Sequence, residues 1–329
     1  MLFRSGSLRI PTILELAKEY KIELPSYDEE ELRSLLLCGK SVDSLESYLK
    51  AFDITLLVLQ DRDAISRAAF ELAEDAAKEN VWHLEVRFSP ILHTKRNLRY
   101  SEIVNAVVDG LEEAKRQYKI HTGVIICAMR NRPAAESKML AEICVAYKNR
   151  GVVGFDLAGA EAHNPAKEHQ EAFTLVLRNN INCTIHGGEA YGPDSISQAI
   201  HYCGAHRIGH GTRLAEDGDL LNYVNDHRIP LEICLTSNKQ THSVEKLEQH
   251  PFRFYFDYHL RVTLNTDNRL ISNTDVTNEY MVAIEHFNLS MDEVKDIIIY
   301  GFKSAFLPYQ EKVRLLQAAL HKLERPFIE

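Results

Sequence analysis

A short β-rich run followed by a helical stretch recurs along this 329-residue chain, and that order constrains the fold more than any other feature. The β-rich runs fall at 82–88, 123–129, 152–157, 182–185, 207–211, 231–235 and 262–264, so that successive starts lie 24 to 41 residues apart. That spacing holds a strand, a loop, a helix and a return. Between the runs, apolar residues recur three and four apart at 103–118, 135–147, 195–203, 277–287 and 311–323, the period of a half-buried helix. The stretch 11–79 reads as almost wholly helical, with Asp28 as an N-cap ahead of 29–37. Repeated strand-then-helix order gives parallel strands joined by right-handed crossovers. An open doubly wound sheet would carry a Gly-rich G-x-G-x-x-G turn after its first strand, and this chain has none. The pattern therefore predicts an α/β chain with a TIM-type (β/α)8 barrel, one strand short, behind a helical N-terminal region. No linker or low-complexity tract divides it, so residues 1–329 are expected to form one domain.

Composition narrows the function classes. With 38 Lys and Arg against 47 Asp and Glu the net charge is -9, which leaves no basic excess to neutralise phosphates. Neither nucleic acid nor an anionic membrane surface is the expected partner, and a small molecule is. No apolar run approaches the ~20 residues that span a bilayer. The opening Met1-Leu2-Phe3-Arg4-Ser5 lacks the apolar core of a secretory signal. The six cysteines are scattered with no C-x-x-C pair, and several sit in apolar runs as buried thiols do. The expectation is a cytoplasmic protein without disulfides.

A barrel's chemistry gathers where its strands end. Those ends carry Arg87; Met129 and Arg130; Asp156 with Gly159; His186 with Glu189; His210; Thr236, Ser237 and Asn238; and Asp267 with Asn268. Each has a bland reading. His186 alone is as well explained as a hydrogen-bonded core histidine, His210 between Gly209 and Gly211 as part of a tight turn, Glu189 as a solvated charge, and Asp267 as a helix cap. Jointly, two His, one Glu and one Asp follow different strands that converge if the ring closes. His93, His163, His201, His242, His250 and His321 read as surface residues. A hydrolytic zinc site needs about three or four N/O ligands and an open position for water. A nearby Glu can donate a proton while a second His orients or deprotonates that water. The other zinc-deaminase design, H-x-E with P-C-x-x-C, is absent.

At these residues the chain resembles the adenosine deaminases. Thr184-Ile185-His186-Gly187-Gly188-Glu189 is similar to their H-A-G-E segment, with Gly187 in place of Ala, and Arg207-Ile208-Gly209-His210-Gly211 matches R-I-G-H-G. The segments 231–238 and 263–267 look like the seventh and eighth strands of that family, and 156–159 and 85–90 like the fourth and second. The resemblance runs from about Gly6 to the C-terminus, in the family's order. It implies a metal-dependent barrel hydrolase holding one Zn2+ per chain, with His186 and Asp267 as ligands. Glu189 would protonate purine N1, and His210 would sit beside the metal-bound water and assist its attack on C6. Asp267 joins the catalytic group, Gly159 and Asn268 would contact the purine, and Ser237 would support the pocket floor. The implied partner is a purine nucleoside and the implied reaction is deamination of adenosine or 2'-deoxyadenosine in purine salvage.

Two departures qualify this. Aligning Gly6-Ser7-Leu8-Arg9 with the family's G-S-L-R puts Met1 and Phe3 where two zinc-binding His stand in H-x-H-L-D-G, and Ser5 at its Asp. The resemblance thus implies a site short of two ligands and a barrel with an unpaired seam. Asn268 stands where many members have a second Asp facing purine N7, and its amide can still donate there. Deaminases of adenine, N6-methyl-AMP or aminodeoxyfutalosine stay open as alternatives, as does a purine-binding relative without catalysis.

Overall fold

The computed structural model describes residues 5–37 and 51–324. Seven strands form one sheet: β1 (His83–Phe88), β2 (His121–Met129), β3 (Val152–Ala158), β4 (Asn182–Gly187), β5 (Arg207–His210), β6 (Leu231–Ile233) and β7 (Val262–Leu264). They pair in sequence order, each parallel to the next. All seven sit where the β-rich runs fall. Long helices cross between them, among them Tyr100–Tyr118, Ala134–Ala146 and Pro193–His201, burying one apolar face against the strands.

The sheet is curled, and buried charges show how far. In a flat sheet β1 and β6 would stand about 24 Å apart, five strand spacings of roughly 4.8 Å. Instead Arg87 on β1 donates to Glu232 on β6 at 2.8 Å, and Arg207 on β5 donates to Glu85 on β1 at 2.7 Å. Contacts that short across the interior require the strands to wrap toward a barrel. Among the described residues there is no eighth strand, and 5–7 form a single 3-10 turn. That turn is bound to the segment after β7, because the Gly6 carbonyl accepts from the amides of Leu270 and Ile271 at 2.9 and 3.2 Å. A Cβ on residue 6 would come within 2.8 Å of Asn268 Oδ1 and Ile271 Cδ1, so those side-chain ends would have to shift to admit one.

Among the described residues the N-terminal region is helical as expected, with helices Ile10–Glu19, Glu29–Leu36, Phe52–Val58 and Arg62–Lys78, while 38–50 of the stretch read as helical lie outside the described residues. Asp28 does cap the second, accepting from the Glu31 amide at 2.9 Å. Two expectations need correction. The run 231–235 is a strand only to Ile233, and a helix, Leu235–Gln240, starts where the strand reading continued. His93 and His250 are not surface residues, since each is 3% exposed. Among the described residues no helix is long and apolar enough to cross a membrane.

Candidate active site

β4, β5, β6 and β7 bring their carboxyl ends to one face, and the residues expected there are all buried: His186, Glu189, His210, Ser237, Asp267 and Asn268. Two adopt left-handed backbone, His210 at φ 63° and Asp267 at φ 55°. Non-glycine residues take that conformation seldom, and it re-aims both side chains off the strand axis toward the mouth.

His210 is the hub. Its Nε2 lies 3.4 Å from Glu189 Oε2, its ring centre 5.2 Å from that of His186, and its Nδ1 2.9 Å from Asn238 Nδ2. Glu189 also accepts from Thr241 Oγ1 at 3.2 Å. Asp267 joins through Ser237, whose hydroxyl donates to Asp267 Oδ2 at 2.9 Å from the same helix that carries Asn238. His186, Glu189 and His210 are therefore brought together directly, and Asp267 is linked to them through the helix 235–240. Gly159 stands at the end of β3 with φ 98°, where an added Cβ would meet Met129 and Asn131 after β2. Asn268 is enclosed between the site and Gly6.

Two more buried charges lie near the mouth: Glu161, which the sequence pattern did not single out, and Arg130, which it placed at a strand end without a role. The Glu161 carboxylate accepts the backbone amides of Gly188, Glu189, Ala190 and Tyr191 at 2.7, 3.0, 2.6 and 3.1 Å, which pins the loop that presents Glu189. Arg130 bonds the carbonyls of Asn164 and His186. No motif flagged Glu161, whose partners are main-chain amides 27 to 30 positions away.

Beneath the mouth lies a lattice of ion pairs. Arg87 meets Asp156 at 3.2 Å and Glu232 at 2.8 Å, and Arg207 meets Glu232 at 2.6 Å and Glu85 at 2.7 Å. Burial pushes the pKa values of Asp156, Glu85 and Glu232 up, yet the guanidinium charges win and hold all three below the ordinary carboxylate range. Arg87 also lies 3.1 and 3.0 Å from the two ring nitrogens of His186, and Asp156 Oδ1 lies 3.3 Å from His186 Nδ1.

That arrangement bears on zinc. Among the described residues no three His, Cys, Asp or Glu side chains are grouped to hold a metal ion. His186 and Asp267 are two donors where a hydrolytic centre needs three or four. A divalent ion at His186 would also meet the fixed positive charge of Arg87. The described side chains do not by themselves make a zinc centre. Met1 and Phe3 lie outside the described residues.

A buried Glu–His pair thus lies past adjacent strand ends of a curled parallel sheet, the end of a barrel where such folds carry their chemistry. The pattern of the family described as adenosine deaminase matches residues 2–322. A "Probable adenosine deaminase" of Dictyostelium discoideum is 42% identical over 98% of this chain, which spans 42% of that relative's own length. "Adenosine deaminase 1" of Streptomyces coelicolor is 40% identical over 94% of this chain and 82% of its own. The chain belongs to the adenosine deaminase family of aminohydrolases. Solved structures agree on the fold. An adenine deaminase from Arthrobacter aurescens superposes with a TM-score of 0.91 at 24% identity, covering 98% of this chain and 99% of its own. The Arabidopsis N6-mAMP deaminase gives 0.87 at 25% identity, covering 97% and 96%. An amidohydrolase from Burkholderia ambifaria solved with bound Zn gives 0.89 at 19% identity, covering 98% and 89%.

Proposed function

We propose that this chain binds a purine nucleoside, adenosine or 2'-deoxyadenosine, and that its mouth is arranged for hydrolytic deamination at C6. The observation that carries the reading is the buried contact of His210 with Glu189, 3.4 Å apart at the ends of neighbouring strands. Water adds its oxygen to C6 while N1 gains a proton from Glu189, which makes C6 electrophilic as the bond forms. The amino group then takes the proton of the new C6 hydroxyl and leaves as ammonia as the C6–N bond breaks, giving the 6-oxo purine. His210 holds the attacking oxygen, and Gly159 and Asn268 border the purine. Glu161 keeps the Glu189 loop in place throughout. Cys144, Cys183, Cys203 and Cys234 are buried and free, which supports a reducing, cytosolic setting.

The donor shortfall at His186 and Asp267 favours a second reading, a purine-binding relative that does not turn over. One panel separates them: ammonia release from adenosine, 2'-deoxyadenosine, adenine, N6-methyl-AMP and aminodeoxyfutalosine, with bound zinc measured on the same preparation. Turnover of the two nucleosides above the rest supports the first reading. Nucleoside binding with no ammonia from any substrate replaces it with the second.

A further inference from the structure

Three hydrogen bonds behind His210 decide where its ring proton sits. The backbone N–H of Phe252 donates to His250 Nδ1 at 3.0 Å. A backbone amide can only donate, so that nitrogen is bare and His250 carries its hydrogen on Nε2. His250 Nε2 lies 3.2 Å from Asn238 Oδ1, an acceptor, which fixes which way the Asn238 amide faces. The other end of that amide, Nδ2, lies 2.9 Å from His210 Nδ1. An NH2 group can only donate, so His210 Nδ1 accepts, and the neutral ring keeps its hydrogen on Nε2. Nε2 is the atom that looks into the mouth, toward Glu189 Oε2.

The Phe252 main-chain amide can be neither flipped nor retautomerised, so the hydrogen positions of His250, Asn238 and His210 follow from it in turn. All three side chains are enclosed: Asn238 is 0%, His210 2% and His250 3% exposed. Burial also lowers the His250 pKa to about 3, with the neighbouring His210 adding to it, so His250 stays neutral in ordinary buffers.

We propose that Asn238 and His250 are positioning residues that lock His210 as its Nε2–H tautomer, so that His210 offers a donor to the attacking water and not a lone pair. A proton acceptor is then needed elsewhere. One Glu189 oxygen lies 3.4 Å from His210 Nε2, and the other accepts from Thr241. Its carboxylate takes the proton the water sheds as oxygen bonds to C6 and passes it to N1, so protons balance with no further reagent. This consequence rests on the deaminase reading, whereas the tautomer rests on geometry alone.

The test is 15N NMR of protein labelled at histidine, with the His210 signals assigned by their loss in His210→Asn. The wild type is expected to show a pyridine-like Nδ1 and a pyrrole-like Nε2. Asn238→Asp keeps the size and still accepts from His250, but its carboxylate draws the His210 hydrogen onto Nδ1. The pattern should reverse, and kcat should fall about 100-fold or more with little change in KM, the signature of a lost transition-state contact. A bare Nε2 in the wild type overturns the proposal, and so does an unchanged pattern in Asn238→Asp or a loss confined to KM. If the variant does not fold, the wild-type spectrum decides alone. Should the wild type release no ammonia, the deaminase reading fails while that spectrum still judges the tautomer.

Discussion

Where β4, β5 and β6 end, side chains hold side chains: His250 fixes Asn238, Asn238 fixes His210, and Glu161 pins the loop that carries Glu189. Where β7 meets residues 5–9, the main chain does most of the holding, through the bonds of Leu270 and Ile271 to Gly6 and of the Arg269 amide to Ser7 Oγ. The first side is equipped to place protons to within a hydrogen bond. The second presents Asp267 near the mouth with too few companions among the described residues to enclose a cation. Among the described residues the two sides thus differ in what they hold: linked hydrogen-bonding side chains on the first, and too few donors to group around a metal on the second.

The largest effect that would sharpen this contrast is at Glu189. Glu189→Gln keeps the shape and the bonds to Thr241 and to the loop but removes the group that carries the proton. Turnover of adenosine should fall by roughly 10²- to 10⁴-fold while nucleoside affinity stays near that of the parent. Steady-state kinetics paired with calorimetric binding read both quantities. A variant that keeps its rate would mean that the proton-handling side is scaffolding, and the contrast would collapse.

Arg87 underlies the first side, since it touches His186 above and joins Asp156 and Glu232 below. It is 1% exposed. Arg87→Met leaves buried Asp156 without its guanidinium partner and Glu232 with Arg207 alone, and breaking a buried pair in this way costs about 3–5 kcal/mol. Urea unfolding followed by far-UV circular dichroism measures the loss. A cost under about 1 kcal/mol would show that the lattice does not hold the curled sheet closed, and that β1 stays near β6 through packing of its apolar neighbours alone.

The sequence made the strands and their order legible because each run is short, apolar and spaced for a crossover. It also placed His186, Glu189, His210 and Asp267 at strand ends, which is where the structure has them. It did not disclose the devices that aim them. Asn238 was visible only as a polar residue past a strand. Its role depends on the helix Leu235–Gln240, which the β-rich run from Leu231 to Leu235 disguised as more strand. His250 read as surface because its periodicity carries no sign of the Phe252 amide that it serves. The ion lattice was illegible for a simpler reason: Glu85 and Arg207 are 122 positions apart and Arg87 and Glu232 are 145, so no local window holds both partners. Distance along the chain hides what curling of the sheet brings together.

That buried imidazole carries a liability in acid which distinguishes the two sides more gently. Folded His250 has a pKa near 3, against an ordinary value of 6.5 in the unfolded chain. Below pH 6.5 the unfolded chain binds a proton that the folded chain refuses, so unfolding takes up protons and stability must fall as pH drops. The contribution is complete above pH 6.5 and shrinks through the window down to about 3. By pH 4 the loss from this one group is on the order of 3 kcal/mol. His93, with a pKa lowered by burial to about 4, adds to the same limb. The depressed carboxylates Glu85, Asp156 and Glu232 act only lower, once pH passes below their ordinary values near 4. Urea unfolding at pH 7, 6, 5 and 4 should therefore show a decline that begins before any carboxylate titrates. His250→Gln should start less stable and decline less steeply across that interval. Equal slopes in variant and parent would mean that the folded protein admits a proton at His250, and the relay to His210 would lose its neutral anchor.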